Sequence, residues 1–352
     1  MRSFVFGFIF FVLSLTASGN TSAESLSEKI AAAFDAGEFL GLHSSLLIKN
    51  NEVLAENYFA GEDENWGRKL GVREFTEHSL HDLRSVTKSI VGLLYAIALD
   101  EGKVPNLDER LMDSFPEYKK YASSKRRKIR IEDVLSMRMG IKWNEKIPYT
   151  DKKNSEIAME YAKDRYRFIL SRKVLQQPGK KWNYNGGATA LLAKLIEKGT
   201  GLSVDDYARA KLFSPLGIKN VEWNRSWDNL PSAASGLRMT MRDLAKIGQL
   251  IADRGEHDGN RIVSEERLQL FLEPRVKAGL LRFGYHWWLS PTGNPPPAVF
   301  ALGNGGQRLS VNQNAGIVTV IFAGNYNHAD YWSMPIKLVN EYFLPVLLKT
   351  SN

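Results

Sequence analysis

A serine and a lysine three residues apart, Ser85 and Lys88 in "RSVTKSIVGLLYAIALDEG", stand at the head of an apolar run from Ile90 to Leu99. On a helix, positions i and i+3 share a face, so the Lys88 amine can reach the Ser85 hydroxyl. A helix apolar on nearly every side belongs in a core, and burial there lowers the pKa of an amine. The field of the first-turn amides acts the same way, because it favours an oxyanion and disfavours an ammonium. A partly neutral lysine beside a serine is a base able to turn that serine into a nucleophile. The plain structural alternative is that Ser85 caps the helix and Lys88 extends its amine to solvent, and the tetrad by itself does not choose between them.

Two further stretches carry chemistry-bearing residues. "PGKKWNYNGGATALLAKLIEKGTG" places Tyr184 in a Gly-flanked loop just before an amphipathic helix, and "ALGNGGQRLSV" places Asn304, Gly305 and Gly306 where a strand begins. A glycine pair there lets backbone amides approach a ligand closely. Alone, each reads as a helix start and a turn. His43, His78, His81, His257, His286 and His328 form no His-x-x-x-His or His-Glu-x-x-His set, so no metal is expected. There is no cysteine, which excludes disulfides and thiolate catalysis. Without a Gly-x-Ser-x-Gly elbow an α/β-hydrolase triad is disfavoured, and without a phosphate loop no cofactor is expected. Trp287 and Trp288 read as core or wall, since adjacent strand residues face opposite ways.

In this order and spacing, Ser85-Val-Thr-Lys88, Tyr184-Asn-Gly186 and Asn304-Gly-Gly306 resemble the three motifs of the serine β-lactamase-like family. Its members include class C β-lactamases, DD-peptidases, family VIII carboxylesterases and 6-aminohexanoate-dimer hydrolases. "IRIEDVLSMRMGIKWNE", "SAASGLRMTMRDLAKIGQLIADRGEHDGNRIVSEE" and "FGYHWWL" resemble family stretches too. The resemblance implies that Ser85 is the nucleophile, Lys88 its general base or proton relay, and Tyr184 a second acid/base that returns the proton to the leaving group. It implies an oxyanion hole made by the amides of Ser85 and Gln307. Asn304, Gly305 and Gly306 would contact substrate, as would Trp143 and Tyr149, which with Asn144 lie in a loop that lines the pocket in relatives.

Two departures bear on specificity. The second motif of β-lactamases is usually Tyr-x-Asn, and here its third position is Gly186; the third motif usually begins with Lys or His, and here it begins with Asn304. A neutral Asn cannot attract the carboxylate that penicillins and D-Ala-D-Ala peptides carry, unless Arg308 or Arg238 supplies the charge. Esterase-like members tolerate such changes better.

The elements that would position these residues follow from the rest of the chain. Its 352 residues, 43% of them apolar, suffice for a large core. Residues 1–23 combine one Arg, an apolar stretch from Phe4 to Leu15 and a small-residue end, the pattern of a secretory signal cleaved after Ala23. A periplasmic or secreted location is therefore expected. Losing Arg2 with that segment would lower the formal charge from +8 to +7. Much of the excess lies in "KKYASSKRRKIR", which reads as a solvated run, with weak attraction to an anionic envelope surface as its other reading. Residues 24–36 read as a helix, Leu42 to Lys49 and Val53 to Phe59 as a hairpin, and the C-terminal third as four short strands and a helix from Tyr331 to Leu348. Between them, "IEDVLSMRM", "EIAMEYAKDRYRFIL" and "ATALLAKLIEK" read as helices.

The expected fold is thus α+β, of the β-lactamase/transpeptidase-like kind: an antiparallel sheet flanked by helices (24–103 and 230–352), with an all-helical domain (104–229) and a cleft between them. The expected activity is that of an exported serine hydrolase cleaving a small ester or amide, with no nucleic-acid partner. A β-lactamase or DD-peptidase, or a catalytically silent protein that binds peptidoglycan or a partner, is the alternative.

Overall fold

The computed structural model describes residues 25–291 and 298–349. The expected signal segment lies outside them, as does all but the first residue of the Pro-rich turn at 291–297. One antiparallel sheet of eight strands has the spatial order Val276–Ala278, Leu281–Phe283, Trp288–Leu289, Val299–Gly303, Gln307–Asn312, Ile317–Ala323, Leu42–Lys49 and Glu52–Tyr58. The N-terminal hairpin therefore adds to the C-terminal strands, with Leu46 opposite Val320 and Leu309 opposite Val320 on its other side. Both faces are covered, which is why "IVTVIFA" is apolar without alternation. Val318, Val320 and Phe322 face the main core. Ile321 and Ala323 face a second cluster built on Ile30, Phe39, Leu338 and Phe343 from the two terminal helical segments.

The Val86–Asp100 helix is the axle of the molecule, with every residue from Val86 to Leu99 buried. At Gly92 it nearly touches the 285–286 segment, since a Cβ there would lie 2.7 Å from His286 Cβ. Ser89 Oγ donates to the His286 carbonyl across the same contact. On the other side lies the Gly186–Thr200 helix, which buries Ala188, Leu191, Leu192, Leu195 and Ile196, as its periodicity predicts. The Val86–Asp100 helix thus touches Gly186–Thr200 on the helical side and the Val299–Gly303 and Gln307–Asn312 strands of the sheet, a place that suits a helix apolar on nearly every side.

Two expectations are corrected, and one element appears that was not expected. The continuous helix expected over 156–170 is two short ones, Ser155–Glu160 and Arg165–Leu170, because Asp164 caps the second by accepting from Arg167 N at 2.8 Å. The helix over "IEDVLSMRM" stops at Leu135. The charged stretch after the first hairpin is a second hairpin, Ala60–Asn65 with Arg68–Glu74, turning at Trp66 and Gly67, both with positive φ. Its strands are polar because little of either face is buried, so no hydrophobic alternation marks them. A small sheet of His81–Asp82, Leu237–Met239 and Val221–Trp223 leads directly into Ser85.

Candidate active site

Ser85 sits where an extended segment becomes a helix, one residue after Arg84, whose φ of 48° is in the left-handed region. Such a conformation costs a non-glycine residue about 1–3 kcal/mol and persists only when its surroundings hold it. Here the Arg84 guanidinium is held by Glu64, by Asp82 at 3.2 Å and by the Tyr326 ring at 4.8 Å. Asp82 is in turn fixed by Trp66 N at 2.6 Å, so the unexpected second hairpin braces the turn that presents Ser85. The Ser85 side chain makes no capping bond. Its Oγ instead accepts from Lys88 Nζ at 3.1 Å, which removes the plain capping alternative.

Lys88 does not reach solvent either. Its ammonium is buried and donates to Ser85 Oγ, to Glu156 Oε2 at 2.8 Å and to the Ala234 carbonyl at 3.0 Å, using all three protons. The expectation of a lysine left partly neutral by burial is corrected here. Burial is the strongest single influence and disfavours the charge, but Glu156, Tyr184 and Glu145 together outweigh it and hold the amine above the ordinary lysine range. Glu156 is placed by Asn154, which caps its helix and anchors to the Ile147 carbonyl at 2.8 Å.

A second buried carboxylate, Glu145, lies beside the pair. It accepts from Gly186 N at 2.6 Å, from Tyr149 Oη at 3.0 Å and from Trp143 Nε1. Burial and then the negative charge of Glu156 push Glu145 up to about 8. Tyr184 faces the same group, with Lys88 Nζ 5.0 Å from its ring centre. Burial raises the phenol to about 12, with Lys88 and a hydrogen bond to Ser85 acting the other way. At neutral pH Tyr184 is therefore an acid. Trp182 and Trp288 back its ring, and Trp287 is fully buried, so both indoles of the "WW" pair serve as wall or core.

Ser85 opens into a cleft of about 670 Å³ whose walls include Trp66, Arg84, Tyr149, Glu156, Trp227 and Asn304. Tyr149 and Asn304 thus line it. Trp143 lies behind, buried and bonded to Glu145. Asn304 is tied to Asn327 by two hydrogen bonds, at 2.7 and 3.0 Å. Gly305 and Gly306 adopt positive φ, 93° and 101°, in the turn that follows. The Gln307 side chain clamps the neighbouring strand at Ala323 by bonds at 2.6 and 3.1 Å. This hairpin meets the Ser85 segment at Gly303, where a Cβ would lie 2.5 Å from the Leu83 carbonyl. Arg238 is buried beneath the cleft against Asp82, and Arg308 bonds Ser310 over the Phe300 ring. Neither belongs to the cleft wall.

Sequence reasoning missed Glu145 and Glu156. Both sit in segments it quoted, "GIKWNE" and "EIAMEYAKDR", yet nothing in their spacing separates them from surface glutamates. His43, Asp63 and His81, among the described residues, have donor atoms close enough to suggest a metal ion, all within 4.8 Å. The facing nitrogens, His43 Nδ1 and His81 Nε2, are 2.9 Å apart. That is a hydrogen-bond separation, shorter than the roughly 3.3 Å between tetrahedral ligands on a zinc-sized ion. Arg84 and Arg238 add positive charge beside His81. The cluster reads as a buried polar contact under the second hairpin.

The Beta-lactamase family matches residues 30–331. The chain belongs to that family, within the serine-hydrolase, penicillin-binding-protein-like superfamily, and its α+β fold is the β-lactamase/transpeptidase fold. It is 25% identical over 296 residues to the 6-aminohexanoate-dimer hydrolase of Paenarthrobacter ureafaciens, covering 78% of this chain and 70% of that one. Among solved structures it resembles a family VIII carboxylesterase, with a TM-score of 0.68, 18% identity and coverage of 89% and 95%. An octameric penicillin-binding protein homologue from Pyrococcus abyssi gives a TM-score of 0.69 at 19% identity, covering 92% and 77%.

Proposed function

We propose that the protein is an exported serine hydrolase that cleaves a small ester or amide through an acyl-enzyme on Ser85. The observation that carries this reading is Ser85 Oγ at 3.1 Å from Lys88 Nζ, at the floor of an open cleft and free of any capping role. In the reaction, Ser85 Oγ attacks the acyl carbon and its proton passes to Lys88. The oxyanion is received by the amides of Ser85 and Gln307. Tyr184, held in its acid form, protonates the departing oxygen or nitrogen and regains a proton through Lys88. Water then repeats the sequence in reverse to free the acid.

The cleft favours neutral acyl groups over the carboxylate-bearing substrates of β-lactamases and DD-peptidases. Asn304 brings no charge, and Arg84, the wall cation next to Ser85 in the chain, is already paired with Glu64 and Asp82; Arg68, Lys152 and Arg225 line the cleft as well. Export rests on the pattern of residues 1–23. The test is intact-mass measurement after exposure to a fluorophosphonate, with mapping of the labelled peptide. A single adduct on Ser85, absent in Ser85→Ala, is expected. A folded wild-type protein that takes no label would overturn the reading in favour of a silent binding protein.

A further inference from the structure

Lys88 presents a chemical difficulty. An ammonium that donates all three protons has no lone pair for the Ser85 proton, and its strongest acceptor is a carboxylate 2.8 Å away. That carboxylate comes from outside the three sequence motifs. Glu156 reaches Lys88 over Gly186, through space that a side chain at 186 would fill, since a Cβ there would lie 2.4 Å from Glu156 Oε2. Both members of the pair are 2% exposed, so water does not compete for the proton between them.

We propose that Glu156 is what allows Lys88 to act as a base, by taking up one ammonium proton so that the amine can accept the proton of Ser85. This rests on the reading of Ser85 as nucleophile. The proton count closes. One Nζ–H bond breaks as an O–H bond forms on Glu156. The amine then turns about its Cε–Nζ bond, keeping two donors and directing its lone pair at Ser85 Oγ, whose proton it takes as Oγ bonds the acyl carbon. When the leaving group departs with the Tyr184 proton, Lys88 restores that phenol and Glu156 restores Lys88. Glu156 itself never touches substrate carbon, so it is a positioning residue that acts through Lys88.

The charged and titratable groups around Glu156 are Lys88 from the buried helix, Glu145 and Tyr149 from the 144–149 loop, Tyr184 from the loop before the Gly186–Thr200 helix, and Glu160 on its own helix. Of these only Lys88 is a cation. Glu145 is held by three donors, and Glu160 by Ser232, Ser226 and Arg165. Among the described residues no other carboxylate bonds the Lys88 amine.

The test is the pH profile of Glu156→Gln with p-nitrophenyl butyrate, alongside fluorophosphonate labelling of the same samples. The variant is isosteric and keeps an acceptor for Lys88, yet cannot hold its proton. We expect kcat/KM to fall about a hundredfold or more near neutral pH. The loss should shrink by up to about tenfold per pH unit as hydroxide removes the lysine proton instead. Glu156→Asp should keep the wild-type pH profile at a lower rate. A folded Glu156→Gln within about threefold of wild type, or one whose loss is the same at every pH, would overturn the proposal. If Glu156→Gln does not fold, Glu156→Asp decides: a new basic limb in its profile would overturn it too. Wild-type labelling on Ser85 separates these outcomes from failure of the nucleophile assignment itself.

Discussion

Gly186 and Glu156 share one space: the missing side chain of the first is filled by the carboxylate of the second, 2.4 Å from where a Cβ would stand. The departure from Tyr-x-Asn at this position is therefore a substitution of partners around Lys88. Asn154, Ile147 and Ser155 fix the start of the Glu156 helix against the 144–147 loop, so that Glu156 and Glu145 arrive together.

Gly186→Ala should consequently damage the site more than the fold. Its φ is ordinary, so the added methyl brings no backbone strain, but it must displace Glu156 Oε2 or press on the Ala234 Cβ at 3.0 Å. Overpacking of this kind costs about 1–3 kcal/mol. Turnover of p-nitrophenyl butyrate should fall at least about tenfold, while circular dichroism stays native. Wild-type turnover in a folded Gly186→Ala protein would mean that Glu156 is free to move.

Lys88→Ala should lower turnover of every substrate by about a hundredfold or more. Tyr184→Phe should discriminate. A p-nitrophenolate leaves without a proton, whereas an alkoxide or amine does not, so the loss should be greater for an anilide or alkyl ester than for the activated ester. Steady-state kinetics on matched acyl groups would measure the difference. Equal losses on all substrates would remove Tyr184 from the leaving-group step.

The first of these residues could be read from the chain because their signals are local. Ser85 and Lys88 sit three apart at the head of an apolar decade, and the hairpin at Asn50 and Asn51 joins two recognisable strands. Trp66, Glu145 and Glu156 could not, because their importance is set by long-range approach. Trp66 reaches Asp82 across the second hairpin, and Glu156 reaches Lys88 from 68 positions along the chain. The state of Lys88 was hidden for the same reason: burial alone predicts a neutral amine, and it is Glu156, Tyr184 and Glu145, gathered from distant segments, that together reverse it.

Glu145 makes a pH prediction. Its carboxyl is pushed up from 4.5 to about 8 by burial and by Glu156. Between those values the unfolded chain has lost this proton and the folded one has kept it. The folded state then binds more protons, so this group makes the protein less stable as pH rises across the window. Glu145→Gln removes the titration while leaving an acceptor for Gly186 N. The melting temperature of the variant relative to wild type should therefore climb from about pH 5 to about pH 8 and be level outside it. A pH-independent difference in differential scanning calorimetry would show that Glu145 ionises normally in the folded protein.

Substrate preference turns on Asn304. Its amide is committed to Asn327, it lines the cleft, and neither Arg238 nor Arg308 does. Arg84 does line it, but with its charge matched by Glu64 and Asp82, and Arg225, which also lines it, is paired with Asp205; Arg68 and Lys152 are the remaining cations of the wall. Short neutral esters such as p-nitrophenyl butyrate should therefore be turned over far better than a cephalosporin. Asn304→Lys puts an unmatched cation on that wall, and one charge-assisted contact in a partly desolvated cleft is worth about 1–3 kcal/mol. The ratio of kcat/KM for carboxylate-bearing over neutral substrate should rise by about 5- to 150-fold. The lost bonds to Asn327 lower stability but act on both substrates alike, so the ratio isolates the charge. Two results would count against this account. If wild-type protein already hydrolyses nitrocefin more efficiently than the ester, a cation already on the cleft wall, Arg68, Lys152 or Arg84, must be binding the carboxylate. If folded Asn304→Lys leaves the ratio unchanged, the acyl group does not lie along the Val299–Gly303 strand end, and the wall formed by Trp66, Arg68 and Trp227 becomes the side on which substrate is held.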